Sequence, residues 1–237
     1  MDKDGIGRRA FLKGAAAGGA AAVTVTLPAA AQAQAANAPQ ANANAPQGYS
    51  FLNTDEAAFI EAVVDHMIPA DNLTPKGTDL GINIYIDRSL AGGWGKGDRL
   101  YLQGPWKTGT PSQGYQLPLT PAELYRAGIA AANAACVKTY GKAFEKMTPA
   151  QREEFLLALR GGKVVFEDGP PAGVFFTTLD QNGMEGMFAD PISGGNRQTA
   201  GWKLIGFPGV IAVHYANVEK YRGKKYDAKS IGIQDMS

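Results

Sequence analysis

The chain has 237 residues, of which 45% are apolar, so it is long enough to form one domain with a hydrophobic core. Its 23 basic and 22 acidic side chains almost balance. This balance excludes the polybasic footprint of a nucleic-acid-binding protein, and we expect no nucleic acid among its partners.

Residues 1–33 are predicted to be an export signal. Four residues carry its signature: Arg8, Arg9, Phe11 and Leu12. An uncharged Ala/Gly-rich stretch follows, and a small-residue cleavage sequence ends at Ala33. Together these features resemble a bacterial twin-arginine signal, whose pathway carries folded proteins. An ordinary secretory signal with a chance arginine pair is the alternative, and Lys13 argues against it.

Residues 34–50 consist largely of Ala, Asn, Pro and Gln. Such low complexity is typical of a flexible tether. The folded domain is therefore predicted to occupy residues 51–237.

Two helices are predicted next. The first opens with Thr54 as its capping residue and ends before Pro69, because apolar residues recur at helical spacing between them. The second is predicted over residues 78–91. Its isoleucines at positions 82, 84 and 86 also suit a strand, so that alternative stays open.

A glycine- and proline-rich segment spans residues 91–119 and carries four aromatic residues: Trp94, Tyr101, Trp106 and Tyr115. A loop of this length is uncommon in a compact domain unless it has a function. The aromatics favour either a docking surface for another protein or a lid over the core of this chain, and the sequence does not separate the two.

Three further helices are predicted after this loop. Thr120-Pro121 opens one that runs to about Met147, and Thr148-Pro149 opens another that stops at Gly161. A third is predicted over residues 172–188. Since no pair of alternating strands is present, the sequence predicts a mainly α fold: one helical domain with long ordered loops rich in Gly, Pro and aromatic residues.

The stretch from Gly183 to Gly209 is too rich in glycine for one helix and too aromatic for a linker. Its apolar residues are predicted anchors, in the core or at a hydrophobic interface: Phe188, Trp202, Phe207 and Pro208. Its polar residues are predicted to fix turns through side-chain hydrogen bonds: Asp190, Asn196 and Arg197. These seven, with Trp94 and Trp106, form the predicted partner interface.

The residues that usually bind cofactors are scarce. The chain has one cysteine and two histidines, whereas iron–sulfur clusters, c-type haem and structural zinc each need more ligands or a fixed Cys-x-x-Cys-His sequence. We therefore expect no catalytic, cofactor-binding or metal-binding residues in this chain. His66 and His214 are read as structural, and Cys136 as a buried thiol or, alternatively, as a thiol that pairs with another chain.

Two other functions stay open at this point. A secreted hydrolase would use carboxylates such as Asp65, Asp71 and Asp190 for acid–base chemistry, although single acids beside proline more often cap turns. A periplasmic sugar-binding module would use the loop tryptophans, since aromatic faces stack on sugars.

Several short motifs occur in a fixed order after residue 50, namely His66-Met-Ile-Pro-Ala-Asp71, Tyr85-Ile-Asp-Arg-Ser-Leu90, Gly186-Met-Phe-Ala-Asp-Pro, Gly194-Gly-Asn-Arg and Gly201-Trp-Lys-Leu-Ile-Gly-Phe-Pro-Gly. With the paired arginines at the N-terminus, they resemble the gluconate 2-dehydrogenase subunit 3 family. The loop from Trp94 to Tyr115 contains residues that we do not match to a motif of that family.

The resemblance implies a non-catalytic small subunit of a periplasmic dehydrogenase complex for sugars, polyols or sugar acids, associated with the inner membrane. It implies two partner subunits: an FAD-containing flavoprotein of the glucose-methanol-choline type and a multi-haem cytochrome c. It also implies a chaperone-like role, in which this chain stabilises the flavoprotein and carries it through the twin-arginine translocase.

Overall fold

The computed structural model describes residues 48–107, 109–210 and 215–236. The predicted export signal with Arg8, Arg9, Phe11 and Leu12, the predicted tether up to residue 47, and His214 lie outside these residues. None of the helices in the described ranges has the length and apolar character needed to cross a membrane.

The described residues form seven α-helices: α1 (Thr54–Met67), α2 (Ile82–Ala91), α3 (Pro121–Tyr140), α4 (Pro149–Arg160), α5 (Ala172–Phe188), α6 (Ala200–Ile205) and α7 (Tyr215–Lys220). Short 3-10 turns connect several of them, and an isolated parallel bridge joins Gly209 to Ile231. No strand occurs in the described part of the chain, so the predicted mainly α fold with a single helical domain is confirmed.

Capping boxes begin three of the helices. Thr120 with Glu123 opens α3 and Thr148 with Gln151 opens α4, as the sequence predicts. At α1 the predicted capping residue, Thr54, is wrong by one position. Asn53 is the N-cap, and its side chain accepts a hydrogen bond from the backbone of Glu56.

Two predicted boundaries also differ from the structure. The helix predicted from residue 78 begins at Ile82, because residues 77–81 form turns that end at Gly81 in a left-handed conformation. The helix predicted to reach Met147 ends at Tyr140, since Gly141 is left-handed with φ 72° and closes it. The isoleucines of α2 are helical, and the strand alternative is wrong.

Aromatic rings from four parts of the chain meet in the core. Phe59 of α1 lies 5.2 Å from Phe144 and 6.3 Å from Phe175 of α5, between ring centroids. Tyr125 of α3 contacts Phe175 edge-on at 5.9 Å. All four side chains are fully buried, so α5 packs against both α1 and α3 through these rings.

A buried carboxylate ties the start of the described chain to α2. Asp87 is fully buried, and its side chain accepts three backbone N–H groups, from Ser50 at 2.7 Å and from Phe51 and Leu52 at 2.9 Å each. We call residues 49–52 the N-terminal strap. Because three N–H donors satisfy this carboxylate, its burial is tolerated.

The guanidinium of Arg126 on α3 fixes the strap from another side. It donates to both carboxylate oxygens of Glu56, at 2.8 and 3.0 Å, and to the carbonyl oxygen of Phe51 at 3.2 Å. It also lies 4.2 Å above the centre of the Phe51 ring. The strap is therefore held by α2 and α3 together.

We expect Asp87→Asn to lower the free energy of unfolding by about 3 kcal/mol, because an amide has one acceptor oxygen and leaves buried N–H groups unpaired. Urea denaturation followed by circular dichroism measures this change. Asp180→Asn, at an exposed position of α5, is the matched control and should change stability little. Equal stability of the two variants would contradict a structural role for the Asp87 carboxylate.

Candidate functional site

The stretch from Gly183 to Gly209 folds back onto the end of α5. Asn196 is fully buried; its side-chain amide donates to the carbonyl oxygen of Ala189, and its side-chain oxygen accepts the N–H of Gly201, both at 2.8 Å. One side chain thus joins the end of α5 to the start of α6. The prediction that Asn196 fixes a turn agrees with this geometry.

The backbone passes very close to α5 at two glycines. A Cβ added to Gly195 would lie 2.3 Å from the carbonyl oxygen of Gly186, and one added to Gly201 would lie 2.2 Å from that of Met187. Both distances are far below contact distance, so only glycine fits these positions. This explains part of the glycine content of the stretch.

Three residues other than glycine in this turn have positive φ angles: Asn196 at 46°, Gln198 at 58° and Thr199 at 54°. Asparagine tolerates this region, but a β-branched threonine there is strained. Such conformations persist only where the surroundings enforce them, so the turn is held rigidly against α5.

Asp190 connects this turn to the C-terminal part of the chain. Its two carboxylate oxygens accept the N–H groups of Ile192 at 3.0 Å and Ile233 at 2.9 Å. For Arg197 the prediction is a hydrogen bond from the side chain. In the described residues it is the backbone N–H of Arg197 that donates, to the carbonyl oxygen of Leu80 at 3.0 Å. Its side chain is exposed.

The two aromatic anchors of α6 and the residues after it have different environments. Trp202 is only 5% exposed and donates its indole N–H to the carbonyl oxygen of Phe188 at 2.7 Å. Phe207 packs edge-on against Trp202 at 5.2 Å but remains 44% exposed. Phe188 and Pro208 are half-buried. The buried ring of Trp202 therefore lies between Phe207 and the interior of the domain.

Apolar side chains around Phe207 face solvent. Leu204 is 42% exposed and Ile205 is 60% exposed. We call Leu204, Ile205 and Phe207 the apolar surface. Because it lies on a turn fixed by Asn196 and Trp202, these side chains are presented on a rigid support, which is a common property of protein-binding sites.

The tryptophans of the long loop also lie partly in solvent. Trp94 is 39% exposed, and its ring contacts the buried Tyr125 edge-on at 6.4 Å, so it covers part of the core of this chain. Trp106 is 42% exposed and lines a cleft of about 250 Å³ together with Tyr101 and Tyr115. The lid interpretation thus suits Trp94, whereas Trp106 is available to a ligand or partner.

The carboxylates considered for acid–base chemistry are engaged in local structure. Asp65 accepts from the ammonium group of Lys76 and the backbone N–H of Thr78, both at 2.8 Å. Burial by itself would raise the pKa of Asp65, but these hydrogen bonds together outweigh it and lower the pKa. The backbone N–H groups of Thr74 and Leu73 lower the pKa of Asp71.

The remaining candidate groups are single residues. The imidazole of His66 lies 2.8 Å from a carboxylate oxygen of Glu153. Cys136 is fully buried, and burial raises the pKa of its thiol to about 12. In the described ranges, no three residues among His, Cys, Asp and Glu come together as a metal-binding group.

A family model described as gluconate 2-dehydrogenase subunit 3 matches residues 54–209 of this chain. The match covers α1 to α6 together with the turn that carries the apolar surface. No curated protein and no solved structure matches the chain at the significance required.

We expect the Cys136 thiol to react with a disulfide reagent at pH 8 at least a hundredfold more slowly than an exposed thiol, because it is buried and un-ionised there. Val165→Cys, at a position that is 80% exposed, supplies the exposed thiol for comparison. Absorbance of the released thiolate follows both reactions, before and after unfolding in guanidinium chloride. Rapid reaction of Cys136 in the folded chain would contradict its burial and favour pairing with another chain.

Proposed function

The chain belongs to the gluconate 2-dehydrogenase subunit 3 family, and on this premise we propose that it is the non-catalytic small subunit of a periplasmic, membrane-associated dehydrogenase complex. In this proposal a flavoprotein subunit of the glucose-methanol-choline type holds FAD and oxidises a sugar, polyol or sugar acid. A multi-haem cytochrome c subunit receives the electrons. The small subunit stabilises the flavoprotein and supplies its export signal.

The observation that carries the proposal is the family match over residues 54–209, because the family is described as one subunit of a dehydrogenase. A subunit needs a surface for its partner. The apolar surface on the turn after α5 is a candidate. When a partner covers exposed apolar side chains on a rigid support, their burial makes the free energy of binding more favourable.

The flavoprotein contact is assigned to this surface for a physical reason. Trp202 is buried and bonded to Phe188, so it fixes the shape of the turn and does not itself reach a partner. Ile205 and Phe207 are exposed beside it and are free to enter a pocket on another subunit. Substituting these two therefore probes the contact with little effect on the core.

The N-terminal sequence supports the export part of the proposal. Arg8 and Arg9, followed by Phe11 and Leu12, resemble a twin-arginine signal. The pathway carries folded cargo, so one signal on this chain serves for a partner that is already bound to it. The translocase is then a transient partner of the assembled pair.

We expect the pair of substitutions Ile205→Ser with Phe207→Ser to reduce flavoprotein capture at least tenfold, because the variant loses its apolar anchors; this corresponds to about 1.4 kcal/mol of binding free energy. The tagged chain is recovered from cells, bound proteins are identified by mass spectrometry, and flavin is quantified by absorbance.

Leu157→Ser with Val165→Ser is the matched control, since these side chains are 54% and 80% exposed but lie outside the turn. Circular dichroism checks that both variants are folded. Capture that is unchanged by the first pair, or lost equally with the second, would contradict a contact at the apolar surface. Recovery of no flavoprotein with the parent chain would contradict the proposed function itself.

We expect Arg8→Lys with Arg9→Lys to retain both this chain and the flavoprotein in the cytoplasm, because the twin-arginine pathway reads the arginine pair and not the charge alone. Cell fractionation followed by immunoblotting of both subunits measures the distribution. Lys3→Arg is a control that keeps the arginine pair intact. A flavoprotein that still reaches the periplasm with the double variant would refute its dependence on this signal.

A further inference from the structure

The residues after the family-matched region carry a concentration of positive charge. The family match ends at residue 209, and we call residues 215–229 the basic segment. It has two acidic side chains, Glu219 and Asp227, and five basic side chains: Lys220, Arg222, Lys224, Lys225 and Lys229. Residues 51–199, in contrast, contain 13 basic and 17 acidic side chains. The positive charge of the domain is thus concentrated at one end of the chain.

Most of this charge is not neutralised within the described residues. Lys225 lies 3.8 Å from Asp227, in an ion pair whose two side chains are 84% and 88% exposed. Arg222, Lys224 and Lys229 are exposed and form no ion pair with an acid in the described part of the chain. An ion pair as exposed as Lys225–Asp227 contributes little to stability. The segment therefore presents a net positive surface.

Apolar side chains accompany the charges. Tyr215 and Val218 are three residues apart on α7, so they share one face of this short helix, and they are 88% and 65% exposed. Tyr221 and Tyr226 pack edge-on at 4.8 Å beside the lysines. The segment therefore combines aromatic and aliphatic groups with ammonium and guanidinium groups on one short stretch.

Hydrogen bonds join residues that precede the basic segment in the chain to residues that follow it. The N–H of Val210 donates to the carbonyl oxygen of Ile231 at 2.9 Å, and the N–H of Ile231 donates to that of Pro208 at 3.2 Å. Asp190 holds Ile233 close by. The chain that follows the basic segment is thus held against the domain at Ile231 and Ile233.

We propose that the basic segment binds the anionic phospholipid surface of a membrane. Attraction between lysine ammonium groups and lipid phosphates supplies one component of binding, and insertion of Tyr215 and Val218 below the headgroups supplies the second. Stable attachment of a peripheral protein generally needs two such components.

Two observations favour lipid over an acidic protein as the occupant. The basic side chains are long and exposed, and most are unpaired, which suits a fluid surface of phosphates more than a fixed set of carboxylates. The segment also lies outside residues 54–209, the part of the chain that matches the family model. This inference does not depend on the proposed flavoprotein contact.

A local fluorescent probe tests the proposal on the full chain. A nitrobenzoxadiazole label is attached to Val218→Cys in a Cys136→Ala background, so that it has one attachment site. We expect its emission to rise several-fold with vesicles that contain phosphatidylglycerol and to stay unchanged with phosphatidylcholine alone. The same label on Val165→Cys, far from the segment in sequence and 80% exposed, should not respond.

Charge reversal gives the second measurement. Lys224→Glu with Lys229→Glu should weaken vesicle binding at least tenfold, whereas Lys146→Glu with Lys163→Glu, an equal change at exposed positions elsewhere, should leave it unchanged. Binding should also decrease as salt rises, because salt screens the charges.

A label at position 218 that does not respond to anionic vesicles would overturn the proposal. Equal loss of binding with the control pair would do the same. If the variant with Lys224→Glu and Lys229→Glu binds vesicles like the parent but fails to retain protein partners, the segment is a protein contact and the lipid assignment is wrong.

Discussion

The interaction on which the fold depends most is the burial of the Asp87 carboxylate against three consecutive backbone N–H groups. A charge inside a protein core is unfavourable unless donors surround it, and here the donors come from residues 50–52, more than thirty positions earlier in the chain. The strap, α2 and α3 are therefore organised together. Without the strap the carboxylate would be unpaired, and without the carboxylate the strap would leave its own N–H groups unsatisfied.

In the turn after α5, too, an unfavourable local feature is offset by contacts with the rest of the domain. Its left-handed residues each cost about 1–3 kcal/mol, and the burial of a side chain such as Trp202 contributes a comparable amount in the opposite direction. Asn196 supplies both a tolerated left-handed residue and two hydrogen bonds. A strained turn is thereby kept in one conformation, and the exposed apolar residues beyond it are held in fixed positions.

Local signals predicted much of this structure, and long-range contacts account for what they missed. Thr120 and Thr148 were readable as helix starts because capping is a property of four neighbouring residues. Asp87 gave no such signal, since its partners are distant in sequence. Trp202 and Phe207 are both aromatic residues in a glycine-rich stretch, and the sequence does not show that Trp202 is buried and donates to the carbonyl oxygen of Phe188 whereas Phe207 is exposed. Helices α6 and α7 are too short to show a hydrophobic period.

The strap also determines how the domain responds to mechanical load. A force applied at position 48 enters the domain at residues 49–52. The three hydrogen bonds to the Asp87 carboxylate transmit that force to α2, and the hydrogen bond from Arg126 to the carbonyl oxygen of Phe51 transmits it to α3. A domain pulled at residue 48 would accordingly resist extraction through its interior helices, and α1 shares the tension, because the Tyr49 hydroxyl donates to Glu61 of that helix at 2.6 Å.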